Sequence, residues 1–368
     1  MAGPLSGIRV VELSGLGPGP FAGMLLADLG ADVVIVQRPG GTALTGGGGR
    51  YDLLNRGKRS VLANLKDPAD RDTVLDLVER ADVLIEGFRP GVTERLGLGP
   101  EDCWSRNPKL VYGRMTGWGQ DGPWSAMAGH DIGYIAVTGA LGAIGRADGP
   151  PQVPLNLLGD FGGGGMYLVV GVLAALLNAK TTGQGQVVDA AIVDGTAHLS
   201  TLIFGMLASG GWQDQRGVNM LDTGAPYYDV YPTADGRHLA VGAIEPQFFA
   251  ELLAKLDLTD TAPPQHDPAR WPELRGQIAT AIAAHPLSHW TKVFDGSDAC
   301  AAPVLTLSEA PSHPHLAARD TFTTRDGVPQ PAAAPRFSKT PNTPTAAPPT
   351  PGQHTEEVLS DWGVPRHA

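Results

Sequence analysis

The chain has 368 residues, 42% of them hydrophobic and 18% charged, which suits about two domains with a large buried core and excludes a disordered protein. Its formal charge of -11 argues against broad nucleic-acid binding, which needs a basic footprint, yet leaves room for a phosphorylated ligand held by a few placed Arg and Lys side chains. Cys103 and Cys300 stand far apart and outside any CxxC pattern, so they fit a reducing compartment and give no zinc or other metal site.

The chain runs from "MAGPLSG" straight into "IRVVEL", without the basic start and apolar run of a secretory signal. The apolar stretch from Tyr167 to Leu177 is too short to cross a bilayer and reads as a buried helix. The final "RHA" is not a peroxisomal address. A cytoplasmic protein with no membrane and no nucleic-acid partner is expected. "IRVVEL", "DVVIVQR", "SVLANL", "DVLIEGF" and "LVYGRMTG" read as strands. Their continuous apolar runs are those of strands buried on both faces, as in parallel sheets. "PFAGMLLADLG" and "DPADRDTVLDLVERA" between the early strands have helical spacing and capping residues. The alternation predicts an α/β fold: a doubly wound, Rossmann-like large domain.

A long helical section follows, through "GGGGMYLVVGVLAALLNAK" and "DAAIVDGTAHLSTLIFGMLASGG". From Gly224, "PYYDVYPTADGRHLAVGAIE" reads as a hairpin turning at Asp235-Gly236, and amphipathic helices after it make a smaller α+β domain. The segment from Pro329 to Gly352 is crowded with Pro, Ala and Thr and reads as an extended strap. "HTEEVLSDWG" predicts a short helix docking back on the first domain. The expected division is a large domain over 1–190 completed by 328–368, linker helices over 191–223 and a small domain over 224–327.

"ELSGLGPGPFAG" after the first strand places Gly17, Gly19 and Ala22 in the spacing of a dinucleotide loop. The acidic residue expected after the second strand is absent, with Gln37 and Arg38 there instead, and Pro18 and Pro20 remove two backbone donors. The dinucleotide signal is therefore weak, and a tight turn packing helix on strand is the preferred reading of the loop. Arg38 suits a phosphate on an adenosine ribose. Arg56, Lys58, Arg59, Lys66, Arg89 and Arg95 recur after later strands, where open α/β sheets bind ligands. In an acidic chain this clustering favours a polyphosphate ligand.

Ionisable groups concentrate in "MTGWGQDGPWSAMAGHDIGY" and in "PLNLLGDFGGGG". A histidine side chain titrates near neutrality, so a group of the type found at 130 can accept and return a proton, which makes His130 a candidate acid/base. Asp160, with Asn156 nearby in an apolar and glycine-rich stretch, would lose solvation and become a competent acid. The residues alone leave His130 open as a helix cap, Asp160 as the N-cap of a helix beginning near Gly162, and Glu245 in "VGAIEPQF" as a helix-start carboxylate. Met115, Met166, Met206 and Met220 fit either an adaptable apolar floor or plain core.

The combination of "GPLSGIRVVEL", "LADLGADVV", "ADVLIEGFRPGVTERLGL", "RMTGWGQDGP", "GHDIGY", "PLNLLGDFGGGG" and "GQGQVVDAAIVDG" resembles the α-methylacyl-CoA racemases of the class III CoA-transferase superfamily, over essentially the whole chain. The resemblance implies a racemase or epimerase that interconverts (R)- and (S)-2-methylacyl-CoA thioesters without a cofactor, CoA being part of the substrate. It makes His130 and Asp160 the two bases, His130 serving the (S) substrate and Asp160 the (R). Glu245 would hold the histidine and Asn156 would support the site. CoA contacts would fall to Arg38, to Ala63, Asn64, Leu65 and Lys66, to Gly87, Phe88 and Arg89, to Arg95, and to Gly129, Asp131, Ile132, Gly133 and Tyr134. It also implies an interlocked homodimer. Two features depart from the family pattern: the glycine-rich 40–50 stretch is long, and Asn64 stands where an Asp is common. Both bear on CoA affinity.

Racemisation needs a base on each face of the α-carbon and donors for the developing enolate oxygen, which the helix start near Asp131 would supply. The nearest competing chemistry on the same fold is CoA transfer with Asp131 as nucleophile; His130 directly before it and the acid of "GDFGGG" favour the racemase. An NADP-dependent oxidoreductase rests on Gly17, Gly19, Ala22 and Arg38 only. A silent CoA-binding scaffold is disfavoured by the intact set His130, Asn156, Asp160 and Glu245.

Overall fold

The computed structural model describes residues 3–40, 49–342 and 346–367. Among them the chain divides into two compact units: 1–138 with 155–200 and 318–368, and 139–154 with 201–317. The first unit is built on a six-stranded parallel sheet in the order β3-β2-β1-β4-β5-β6. Its strands are β1 (Arg9–Leu13), β2 (Asp32–Gln37), β3 (Arg59–Leu62), β4 (Val83–Glu86), β5 (Val111–Thr116) and β6 (Val187–Ala191). The register sets Val11 against Val34 and Leu84, so the middle strands are covered on both sides as their apolar runs require.

Helices α1 (Pro18–Asp28) and α2 (Pro68–Arg80) each begin with a proline, whose missing N–H costs nothing at a helix start. Asp67 caps α2 by accepting the Ala69 and Asp70 amides. α1 packs on one face of the sheet with Val10, Val33, Ile85 and Leu168. The other face carries α2 and the C-terminal helix Thr355–Trp362, whose Val358, Leu359 and Trp362 are buried with Val34, Leu77 and Tyr112. Trp362 Nε1 donates to Asp32 Oδ2 at 2.9 Å, fastening that helix to β2.

β6 corrects an expectation. "VVDAA" belongs to the sheet, and the helix begins only at Ile192. As the edge strand it is only partly covered, so it lacks the continuous apolar run of the inner strands. A second correction concerns the apolar helix. Leu157–Thr182 is one continuous 26-residue helical segment, long and apolar enough to cross a membrane by length and composition. Leu168, Val169, Val172, Ala175, Leu176 and Ala179 are buried in the sheet's core. Met166, Val170 and Leu177 are exposed. The extra length comes from a π-helical opening, Leu157–Gly165, in which the Phe161 amide donates to the Asn156 carbonyl five residues back. A Cβ on Gly163 would lie 2.5 Å from Thr196 Oγ1, so only glycine lets this turn approach the helix Ile192–Leu199.

A fully buried ion pair lies beneath α1. Lys58 Nζ is 2.7 Å from Glu12 Oε2 and donates to the Pro20 carbonyl and to Asn55 Oδ1. Burial lowers the lysine's pKa and raises the glutamate's. The antiparallel ribbon β7 (Tyr228–Pro232) and β8 (His238–Gly242) is the expected hairpin, and β9 (Ala301–Pro303) adds to β8. Its core gathers Tyr227, Leu239, Leu252, Ile278 and Trp290. Segment 139–154 belongs to this second unit. Arg216 donates to the carbonyls of Gly142, Arg146 and Gly149, while Arg146 and Arg275 both pair with the buried Asp229. In the first unit, β10 (Phe322–Arg325) and β11 (Val328–Pro331) form a hairpin.

Candidate active site

A cleft of about 490 Å³ opens at the carboxyl ends of β1, β4 and β5. This is where the strand order reverses, the position at which open α/β sheets bind ligands. Loop 15–20 after β1, residues 86–90 after β4, residues 115–118 and the approach 127–130 form its walls, with Tyr134, Asp160 and Ile192. The Gly17 region therefore lines the cleft as well as turning the chain into α1.

His130 occupies the N-cap position of the helix Asp131–Val137, with extended backbone at φ -138°, and its ring makes no capping hydrogen bond. Its carbonyl takes the amides of Gly133 and Tyr134 at 2.8 and 3.3 Å. The cap is thus a backbone matter, and the exposed imidazole is left to the cleft.

Asp160 lies inside the π-helical turn and is not an N-cap. Its Oδ2 accepts from Asn156 Nδ2 at 3.1 Å. A Cβ on Gly17 would stand 3.1 Å from the same oxygen, which makes the glycine loop and this carboxylate neighbours. Burial raises the Asp160 pKa; the Asn156 hydrogen bond and His130 oppose this, and the charge of Asp131 adds to it. The carboxyl therefore keeps its proton at a higher pH than a free aspartate. Asp131 is buried and does not line the cleft; its Oδ2 accepts the Asp160 amide at 2.6 Å.

Tyr134 is buried with its ring edge-on to Trp118 at 4.7 Å, and Trp118 is edge-on to Trp124 at 4.9 Å. Burial and the Asp160 charge raise its phenol's pKa. Leu13, Ile85, Met115 and Met127 add apolar lining.

Sequence reasoning missed Glu86, a cleft-lining carboxylate buried at the end of β4; the lone acid in "VLIEGF" was its only signal. It accepts the Phe88 amide at 2.7 Å and faces Arg114 Nε at 3.4 Å. Burial pushes its pKa up to about 7; the Phe88 amide and Arg114 pull it down, while Glu94 and Asp189 push it up. Between pH 4.5 and 7 the folded protein holds a proton that the unfolded chain has released, so stability falls as pH rises through that window. The loss from this group should reach roughly 3 kcal/mol. Urea unfolding at pH 4.5 and 7.5 checks this: Glu86→Gln, which keeps the acceptor for Phe88, should shrink the difference by the part this group contributes.

Of the residues assigned to CoA, Gly87, Phe88, Arg89, Gly129 and Tyr134 line the cleft with His130 and Asp160. Arg38 is exposed just past β2, and Arg95 is exposed at the end of the short helix Val92–Arg95. Ala63 is buried, and Lys66 is exposed in the turn after β3. Asn64 shapes that turn: its Oδ1 accepts the Lys66 amide at 3.3 Å and its own amide donates to Asp70 Oδ2 at 2.7 Å. The asparagine keeps the acceptor an aspartate would offer, without the charge. Ile132 is half-exposed and Gly133 partly covered on the helix after His130. Glu245, in the second unit, is exposed at the N-cap of the helix Pro246–Lys255 and makes no capping hydrogen bond. Residues 41–48 of the glycine-rich stretch lie outside the described residues.

The family model of CoA-transferase family III matches residues 5–355. The alpha-methylacyl-CoA racemase of Mus musculus is 48% identical over 363 residues, covering 98% of this chain and 93% of its own. The Homo sapiens protein of the same name is 47% identical over 369 residues, covering 98% and 94%. The crystal structure of a CAIB/BAIF family protein from Brucella suis superposes with a TM-score of 0.84 at 26% identity, covering 98% of this chain and 100% of that one.

Proposed function

The chain belongs to CoA-transferase family III, and on this basis we propose that it is a racemase that interconverts (R)- and (S)-2-methylacyl-CoA thioesters by removing the α-proton on one face and returning one on the other. The observation that carries this reading is the pair His130 and Asp160 lining one cleft, with Asp131 buried away from it. The two near-full-length relatives named as racemases support it.

From the (S) thioester, His130 takes the α-proton and the protonated Asp160 delivers its own to the opposite face of the enolate; from (R), the roles reverse. Burial of Asp160 suits it to the donor role, because the neutral acid persists where a free aspartate would be ionised. Asn156 orients that carboxyl. Each group supplies about 10²–10⁴-fold, the usual range for a placed acid or base. The chemistry asks for no cofactor beyond the CoA carried by the substrate, and Arg38, Asn64 to Lys66, Arg89 and Arg95 are the proposed CoA contacts. CoA transfer through an Asp131 anhydride is the weaker reading, since that carboxylate is enclosed and already accepts the Asp160 amide.

A homodimer accompanies this reading. The helix Thr201–Ala208 has no buried residue, and Leu202 and Phe204 are exposed on it. In the first unit Val170 and Leu177 are likewise uncovered, and apolar faces of this kind mark association surfaces. The same family reading assigns Glu245 to the histidine of a partner protomer. Cys103 and Cys300 are both free thiols, which fits a cytoplasmic setting.

Incubation of a single enantiomer of a 2-methylacyl-CoA in D₂O without added cofactor tests the proposal. Deuterium should enter the α-position as configuration is lost. Transfer of CoA to a free carboxylate with no α-exchange would establish the transferase instead.

A further inference from the structure

His130 and Asp160 reach the cleft from different elements, one at the head of the helix Asp131–Val137 and the other inside the π-helical turn Leu157–Gly165. One side chain joins them. Asp131 follows His130 directly, and its Oδ2 accepts the backbone amide of Asp160 at 2.6 Å. The approach depends on residue 159 being glycine: a Cβ there would lie 2.3 Å from Asp131 Oδ2 and 2.9 Å from Ile135 Cγ2. Oδ1 of the same carboxylate is enclosed without a hydrogen-bond partner among the described residues. Enclosing a carboxylate oxygen unpaired is unfavourable. The fold accepts that cost and gains a tether between the two proton-transfer groups.

We propose that Asp131 is a positioning residue that sets the spacing of His130 and Asp160 across the α-carbon, by pinning the π-helical turn to the helix that His130 opens. This rests on the racemase reading of the cleft. A carboxylate displaced by about 1 Å loses the alignment that proton transfer needs, which costs up to about 10²-fold. The histidine, carried by its own helix, keeps its place. Loss of the pin therefore harms one face of the reaction more than the other.

The experiment compares Asp131→Ala with Asp131→Asn, whose side-chain oxygen can still accept the Asp160 amide. In D₂O, the Ala variant should go on exchanging the α-proton of the (S) thioester while inversion slows by about 10–10²-fold. From the (R) thioester, exchange and inversion should slow together. The Asn variant should invert both enantiomers within a few-fold of the unaltered protein. Amide hydrogen exchange over residues 157–165 reads the pin without any activity: faster in the Ala variant, unchanged in the Asn variant. Equal loss of exchange and inversion from both enantiomers would overturn the proposal, as would an Asn variant as damaged as the Ala one, or unchanged amide exchange in both. If the unaltered protein shows no α-exchange, the racemase reading fails by itself, and amide exchange still decides whether the pin exists.

Discussion

Asp160→Asn is expected to uncouple the two halves of the reaction: the (S) thioester should still exchange its α-proton in D₂O, while inversion falls by about 10²–10⁴-fold. His130 remains to remove the proton and return a deuteron to the same face, so exchange proceeds with retention. From the (R) thioester neither exchange nor inversion should be seen, because the group that removes that proton is gone. His130→Gln should show the mirror pattern. Asparagine can still accept from Asn156, so the turn should persist. Its neutral amide also stands in for a carboxyl that burial already biases toward the protonated form. Because that bias lets the folded state hold a proton the unfolded chain has lost, Asp160 adds its own decline of stability as pH rises above the free aspartate range, and the Asn variant should lack that contribution while keeping the one from Glu86. Inversion by Asp160→Asn at a near wild-type rate, measured by chiral analysis of recovered acid, would place the second base elsewhere.

Lys58→Met should be the most damaging single change to stability among those considered, lowering the unfolding free energy by about 3–5 kcal/mol in urea titrations at pH 7.5. Lys58 is fully enclosed and is the only cation within 4 Å of the Glu12 carboxylate among the described residues. Removing it strands a charge in the middle of the sheet, and also leaves the carbonyl of Pro20 and the Oδ1 of Asn55 without the donor they share. Glu12→Gln added to Lys58→Met should recover much of the loss, since the unpaired charge is then gone. Lowering the pH to 5 should soften the single variant for the same reason, as the raised pKa of Glu12 lets it take a proton. A loss below about 1 kcal/mol would show that water reaches the pair. Pro20 borders the cleft, so the variant should also raise KM more than it lowers kcat.

Five of the six strands of the large sheet, the β7–β8 hairpin and the C-terminal helix were legible because each follows from apolar runs or from turn and cap residues close in sequence. The sixth strand was not, because an edge strand need not be apolar and "DAA" favours helix when read alone. That His130 and Asp160 share a cleft was an expectation carried by motif. The π-helical turn that presents Asp160 has no periodicity to announce it, and its glycines read equally well as loop. Which way Asp131 faces depends on Gly159, a contact made across twenty-eight residues. Glu86 was overlooked because a single acid ending an apolar strand looks like a solvent-facing residue until the parallel pairing of β4 with β5, which sets it beside Arg114, places it in a buried position.

The path of segment 139–154 has a consequence for how such a protein can be dissected. Between its two acid/base groups the chain leaves the large unit, is clamped by Arg216 in the small one, and returns. The small unit is thus a double insertion, stitched from two separate stretches of the chain. No single cut frees either unit as a complete body, and a gene fragment ending anywhere before residue 317 lacks part of both. Any shuffling of small units between relatives must exchange both stretches together, or the arginine clamp will grip a partner it was not matched to.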